Sequence, residues 1–259
     1  MRRSTSLLGA LLPPVVFGVA FLGLWEVAVK AFDLKPYFLP APSAIWGQLR
    51  ETPGEIWEAA KVSGGNALIG LVIGTILGVA LSFVLARFRT MNELVTPLAV
   101  ALNAVPIFVL VAVFNNMFGV TSEVPRRLMV TLVVNFIVLV NVARGLLEVQ
   151  PTQIELMRSY AASDVAILRK VRVPNAVPFL FTALKIAAPA AVITAFVSEY
   201  FGGSQNGLGS RITSNISIAS NAAAWAYVVG ACLLGLAFFG TAVALERLLT
   251  PGRRARLGA

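Results

Sequence analysis

The sequence contains no histidine and a single cysteine, Cys232, among its 259 residues. These absences exclude a disulfide framework, a zinc site with Cys and His ligands, and any catalytic triad that depends on histidine. Charged residues are also scarce: they form 13% of the chain, against about 25% in typical soluble domains, while hydrophobic residues form 58%. This composition excludes a disordered chain and predicts a protein that crosses the membrane several times.

Runs without charged residues locate six predicted transmembrane helices, because a bilayer core is spanned by about 20 predominantly apolar residues. The predicted spans cover residues 8–31, 62–87, 94–118, 127–147, 175–199 and 222–246. They predict an all-α membrane protein with one transmembrane domain over residues 1–259. An even number of spans places both termini on the same side of the membrane.

The basic residues predict which side that is. If the termini are cytoplasmic, the internal segments hold 13 Lys and Arg residues and the external loops hold 7, with Lys185 inside a span. Positive charge is enriched on the cytoplasmic side of membrane proteins, so this distribution predicts cytoplasmic termini. The net charge of +9 then reflects topology and attraction to anionic lipids, and no nucleic-acid partner is expected.

The second span carries Gly70, Gly74 and Gly78 at four-residue spacing, so one face of this helix lacks side chains. Such a face lets another helix approach closely, with van der Waals packing holding the pair together. The pattern leaves open whether the neighbouring helix belongs to the same chain or to a second copy.

The internal loop over residues 150–174 is too polar to span the membrane and too long for a minimal turn. Pro151 can begin one short helix, and Ser163 can cap a second with Asp164 in its first turn. Pro174 is expected to end that second helix. A helix–turn–helix without its own core is suited to a groove in another protein or to the membrane surface, and both interpretations stay open at this point.

Several motifs resemble one family of membrane proteins. The coupling-loop pattern of binding-protein-dependent ABC importer permeases resembles residues 155–163, Glu-Leu-Met-Arg-Ser-Tyr-Ala-Ala-Ser, and residues 171–178, Val-Arg-Val-Pro-Asn-Ala-Val-Pro. Residues 38–43, Phe-Leu-Pro-Ala-Pro-Ser, and residues 198–203, Ser-Glu-Tyr-Phe-Gly-Gly, resemble its sulfonate, taurine and nitrate branch, including pyrimidine-precursor and riboflavin-type members. The resemblance implies the type I importer permease fold, with six transmembrane helices and cytoplasmic coupling helices.

The resemblance also implies which residues couple the chain to an ATPase subunit. These residues are Glu155, Arg158, Tyr160, Ala161, Ala162, Ser163, Asp164 and Pro174. The family pattern has glycine at the coupling turn, where this chain has Ala161. If the turn requires a left-handed backbone, alanine costs about 1 kcal/mol there.

The chain lacks the Gly-x-x-x-x-Gly-Lys-[Ser/Thr] motif that cradles phosphates, so it is not expected to be an enzyme or to hold a cofactor. The resemblance implies a bacterial inner-membrane complex of two ATPase subunits, which bind ATP and magnesium, two permease copies, expected to be identical, and an extracytoplasmic substrate-binding protein. We expect an ATP-driven importer subunit that works by alternating access. The alternative is a secondary transporter or channel, for which inverted repeats or charged intramembrane relays are typical.

Polar groups inside the spans predict the translocation pathway, because such groups usually face the bundle interior or a cavity. The predicted pathway or gate residues are Asn103, Phe108, Asn135, Asn141, Thr194 and Glu199. Interhelical hydrogen bonding is the alternative role for the polar members, and for Glu199 it is a structural ion pair with Arg211. The scarcity of positive charge in the spans favours a small organic nutrient, such as a heteroaromatic vitamin precursor, over a sulfonate, nitrate or bicarbonate.

Overall fold

The computed structural model describes residues 7–87, 106–202 and 206–250, and the regular structure in those residues is helical. In chain order the helices are α1 (Leu7–Ala31), α2 (Pro42–Glu51), α3 (Pro53–Arg87), α4 (Ile107–Phe118), α5 (Val124–Leu147), α6 (Pro151–Ser159), α7 (Asp164–Ile167), a π-helical turn (Leu168–Arg172), α8 (Val173–Gly202), α9 (Leu208–Ser217) and α10 (Asn221–Leu249).

Five helical segments are long and apolar enough to cross a membrane. They are α1, α3, α5, the continuous helix from α7 through α8, and α10, and they coincide with the first, second, fourth, fifth and sixth predicted spans. The shorter helix α4 covers the end of the third predicted span, and residues 94–105 of that span lie outside the described residues. The all-α membrane architecture is confirmed, and the count of six spans stays a prediction.

The glycine face of α3 packs against α5 of the same chain, which settles the choice that the sequence left open. Gly70, Gly74 and Gly78 are all buried in this contact. A Cβ atom added at Gly74 would lie 2.8 Å from the Cβ of Val134, and one added at Gly78 would lie 2.8 Å from the Cβ of Val138. The two helices approach so closely because only hydrogen atoms occupy that face of α3.

Small side chains also bring α8 into the core. Ala183, Ala187, Ala191 and Ala195 are completely buried and recur every four residues, so they form one face of the helix. This face belongs to the same hydrophobic cluster as the valines of α5. The core of the bundle therefore consists of α3, α5 and α8, packed through small residues and valine.

The second helix of the loop does not end at Pro174, so that prediction is wrong. α7 continues through the π-helical turn Leu168–Arg172 into α8, and one helical path runs from Asp164 to Gly202. Proline lacks the N–H that an α-helix directs to the carbonyl four residues earlier. The wider π turn just before Pro174 changes the hydrogen-bonding pattern where the proline would otherwise break it, so the helix continues.

Candidate functional site

The segment from α6 through the π-helical turn, residues 151–172, forms an elbow at one end of the bundle. No residue of α6 is buried, and Glu155 and Arg158 are exposed on it. Large apolar side chains are exposed on the elbow as well: Leu156 is 57% exposed and Tyr160 is 78% exposed. A mixed apolar and charged surface on a projecting helix has the chemistry of a docking surface for another protein.

At the turn of the elbow, α6 ends with a residue in the left-handed backbone conformation. The Ala162 N–H donates to the Met157 carbonyl at 3.0 Å, and the Ala161 N–H donates to the Arg158 carbonyl at 2.9 Å. This pair of hydrogen bonds is the Schellman pattern, which requires a left-handed residue after the helix cap. Ala161 has φ = 53°, so the turn places alanine where the family pattern has glycine, at a cost of about 1 kcal/mol.

The elbow is connected to the bundle at its second helix. The Ser163 hydroxyl accepts a hydrogen bond of 3.3 Å from the Ala166 N–H, which confirms the predicted cap. At the start of α8, the Asn175 side-chain amide donates to the carbonyls of Gly145 at 2.8 Å and Glu148 at 3.0 Å. These carbonyls lie at the end of α5, where no helical N–H follows to bind them. The elbow is therefore continuous with α8, and α8 is bound to the end of α5.

Glu199 lies at the far end of α8 and is 1% exposed. Its Oε2 atom accepts hydrogen bonds from the Ser63 hydroxyl at 2.6 Å and from the Gly209 N–H at 3.1 Å. The Ser63 hydroxyl accepts in turn from the Leu208 N–H at 2.9 Å. The carboxylate and the hydroxyl together satisfy two N–H groups of the first turn of α9, which otherwise lack partners within the helix. We call this arrangement of Ser63, Glu199, Leu208 and Gly209 the clasp.

Glycine is required at Gly209 in the clasp and at Gly207 beside it, because other atoms approach both positions closely. A Cβ atom at Gly209 would lie 2.8 Å from the Tyr200 nitrogen, and one at Gly207 would overlap the Glu199 carboxylate. Gly207 has φ = −92°, so its backbone conformation is open to other residues and the contact alone selects glycine.

The ion pair between Glu199 and Arg211 that the sequence offered as an alternative is not formed among the described residues. Arg211 is exposed, and hydroxyl and backbone donors bind the Glu199 carboxylate instead. A carboxylate that closes a helix start has a structural role, and the role of Glu199 as a gate stays a prediction.

A buried arginine lies near the clasp; the sequence did not single it out and counts it among the seven basic residues of the predicted external loops. Arg126 is 1% exposed and pairs with Glu123 at 2.8 Å. Glu123 also accepts a hydrogen bond of 2.5 Å from Asn66 on α3, and Asn66 accepts one of 3.0 Å from Arg127. The network joins the first half of α3 to the start of α5. The three-residue spacing of Glu123 and Arg126 was a signal for the pair, although not for its burial.

Of the residues predicted to line the pathway, the structure describes Asn135 and Asn141 on α5 and Thr194 and Glu199 on α8. Thr194 is buried on the core side of α8, and the Asn141 side chain donates to a carbonyl of its own helix at 2.8 Å. Asn135 lies six residues before Asn141, which turns it by about 120° around α5. Asn103 and the side chain of Phe108 lie outside the described part of the chain. The roles of all six residues in transport stay predictions.

These features define a class of protein: a helical subunit that spans the membrane and carries an exposed elbow continuous with a core span. The chain belongs to the family described as the binding-protein-dependent transport system inner membrane component, whose family model matches residues 70–254. The predicted family and the predicted location in a membrane crossed several times are thereby confirmed.

Two relatives and one solved structure agree with the family. A probable ABC transporter permease protein of Haemophilus influenzae is 27% identical over 199 residues, which cover 77% of this chain and 80% of the relative. The formylaminopyrimidine transport permease protein ThiX of Halalkalibacterium halodurans is 27% identical over 245 residues, which cover 94% and 96% of the two chains. An inward-facing structure of the MetNI methionine ABC transporter has a TM-score of 0.52 and 22% identity, covering 78% of this chain and 98% of that one. This last similarity supports the predicted type I importer fold.

Proposed function

We propose that this ABC importer permease works by alternating access in a complex with two ATPase subunits, a second permease copy and an extracytoplasmic binding protein. ATP and magnesium are held by the ATPase subunits, since this chain lacks the phosphate-binding motif. Both termini and the elbow face the cytoplasm in this proposal, and the clasp faces the opposite side. The observation that carries the proposal is the single helical path from Asp164 in the elbow to Glu199 in the clasp.

In this proposal the elbow receives the movement of the ATPase subunits, because it is the surface that docks on them. Glu155, Arg158, Tyr160 and Ser163 present exposed side chains on it, as a docking surface for the ATPase requires. When the ATPase subunits close on ATP, the elbow moves with its docking groove. The Asn175 contacts with the end of α5 make α5 and α8 move together with the elbow.

The clasp is the element that transmits this movement to the external surface in the proposal. It fastens α9, a surface helix on the external side, to both α8 and α3 through hydrogen bonds to the Glu199 carboxylate and the Ser63 hydroxyl. A tilt of α8 therefore also moves α9, which lies where a binding protein would dock. In this proposal Glu199 transmits movement to the external surface rather than contacting the substrate.

We propose a small organic nutrient, of the pyrimidine-precursor type, as the substrate. The similarity to the formylaminopyrimidine permease extends over nearly the whole chain. Two cations within spanning helices are already paired with carboxylates, Lys185 with Glu246 at 2.9 Å and Arg126 with Glu123 at 2.8 Å. An anion pathway requires positive groups that are free to attract the ion, so these pairs favour an organic substrate over nitrate or bicarbonate.

Reconstitution tests the proposed function. We expect the chain to co-purify with an ATPase subunit, and proteoliposomes containing both to accumulate formylaminopyrimidine only with binding protein outside and ATP inside. A secondary transporter would instead accumulate substrate in an ion gradient without ATP. Uptake that requires ATP but selects a sulfonate would keep the mechanism and replace the proposed substrate.

A further inference from the structure

The last helix, α10, is packed unequally along its length. In its first half, Ala224 and Tyr227 are buried in one hydrophobic cluster with Leu208 of α9. The second half, residues 231–249, is described throughout, and Ala242 is its single buried residue. Burial of apolar surface therefore holds the first half of α10 in place more firmly than the second half.

A groove of about 650 Å³ lies beside this second half, between α10 and α3. Its lining includes Leu68 and Ile76 of α3, Phe238 and Leu245 of α10, and Ala188 of α8. Side chains that face a groove lack contact atoms on that side and gain no dispersion energy there. Along the groove, α3 therefore contributes little to the position of α10.

One ion pair connects the second half of α10 to α8. The Lys185 Nζ atom lies 3.1 Å from Oε1 and 2.9 Å from Oε2 of Glu246. The two side chains are 29% and 30% exposed, on helices that are long and apolar enough to cross a membrane. A charge in apolar surroundings separates from its partner only at a high cost in free energy, so this pair resists movement of α10 relative to α8.

We propose that the Lys185–Glu246 ion pair is a positioning contact that makes the second half of α10 move together with α8. Since α8 is continuous with the elbow, the pair gives movement of the elbow a second path through the bundle. This path follows α10 to its first half, which packs against α9. The attachment of α10 to α8 is independent of the proposed function, while its effect on ATP-driven coupling rests on that function.

A spin label on α10 tests the attachment in the purified permease–ATPase complex. The label is placed at Leu249→Cys, where the native side chain is 68% exposed, in a chain that carries Cys232→Ala. We expect Lys185→Met to increase the mobility of this label in electron paramagnetic resonance spectra, because the end of α10 loses its ion pair. Arg247→Met is the matched control: Arg247 is exposed one residue after Glu246 and forms no ion pair within the described residues.

Two double variants separate positioning from stability. Lys185→Met combined with Glu246→Gln removes both charges, so neither charge is left without its partner and the fold is retained. Lys185→Glu combined with Glu246→Lys restores an ion pair with the charges exchanged. We expect the uncharged double variant to reduce the stimulation of ATP hydrolysis by substrate and binding protein about tenfold, a typical coupling between contacting residues, at unchanged basal hydrolysis. The exchanged pair should recover both the stimulation and the low mobility of the label.

Normal stimulation in the uncharged double variant overturns the proposal, because the pair then contributes only to stability. Unchanged label mobility in Lys185→Met overturns it as well, since other contacts then fix α10, and so does an equal increase in Arg247→Met. If Lys185→Met lowers the yield of folded complex, label mobility in the uncharged double variant decides the attachment. A native complex that imports nothing with ATP refutes the proposed function instead, and the label still shows whether the pair positions α10.

Discussion

The Ser63 hydroxyl donates a hydrogen bond of 2.6 Å to the Glu199 carboxylate and so joins two spanning helices through residues 136 positions apart in the chain. Both groups are buried, and each also binds an N–H group at the start of α9. Hydrogen bonds in a buried site are stronger than exposed ones, so this contact holds α3, α8 and α9 together. The first prediction concerns this contact.

Replacing Glu199 with glutamine keeps the shape of the side chain and replaces one carboxyl oxygen with an amide nitrogen. We expect Glu199→Gln to destabilise the folded complex by about 1–3 kcal/mol, because the clasp loses one acceptor oxygen and gains a buried N–H donor. The unfolding temperature and the yield of purified complex measure this effect. Arg211→Gln is the control and should change neither, since Arg211 is exposed and not bound to Glu199. Loss of transport by Glu199→Gln at unchanged stability would show that the residue is a gate instead.

The glycine face of α3 provides a test of the helix packing. A Cβ atom at Gly74 would lie 2.7 Å from the Thr131 carbonyl oxygen, which belongs to the backbone and has little room to move. Gly74→Ala should therefore force α3 and α5 apart and destabilise the protein by about 1–3 kcal/mol. Gly235→Ala on α10 is the matched control, since a Cβ atom there meets nothing within 4 Å. Similar unfolding temperatures for the two variants would contradict the packing of α3 against α5.

The strained elbow turn can be relaxed. We expect Ala161→Gly to remove about 1 kcal/mol of left-handed strain, partly offset by the greater freedom of glycine in the unfolded chain. Hydrogen exchange at the amides that close the turn should slow in this variant. Ala219→Gly is a close control, because Ala219 has φ = 56° at the end of α9, outside the elbow. Faster exchange in the elbow of Ala161→Gly would show that alanine stabilises the turn.

Charge reversal on the elbow tests coupling. Glu155 is exposed on α6, and reversing its charge at a docking contact costs about 1–3 kcal/mol. We expect Glu155→Lys to abolish ATP hydrolysis stimulated by substrate and binding protein while membrane insertion stays normal. Glu58→Lys changes an exposed carboxylate on α3, outside the elbow, and should leave stimulation intact. Normal complex yield together with normal transport by Glu155→Lys would exclude the elbow as the docking element.

The orientation in the membrane is tested by labelling single cysteines in a chain in which Cys232 is replaced by alanine. A membrane-impermeant thiol reagent added to intact cells should label Pro53→Cys, at the start of α3. It should label Ser163→Cys only after the cells are permeabilised. Both positions are at or near the surface of the chain, so access depends on the side of the membrane. Labelling of Ser163→Cys in intact cells would reverse the predicted orientation.

The sequence predicted features whose physical causes are local or compositional. The scarcity of charge and the length of the apolar runs indicate a membrane protein, because both follow from the solvent around each helix. The Ser163 cap was also predictable, since it binds an N–H group only three residues away. The resemblance of the elbow motif identified the family, which the family model confirms.

Tertiary structure decided the features that depend on partners distant in the chain. The glycine face indicated close packing but not its partner, because spacing along α3 carries no information about which helix opposes it. Arg126 appeared to be a loop cation and is buried, since its environment is set by α3 and α5 together. The partner of Glu199 is Ser63 rather than the nearby Arg211, because the folding of three helices brings the hydroxyl to the carboxylate. The helix that begins at Asp164 continues beyond Pro174 because a π-helical turn precedes the proline. Residue preferences alone had predicted that this helix ends at Pro174.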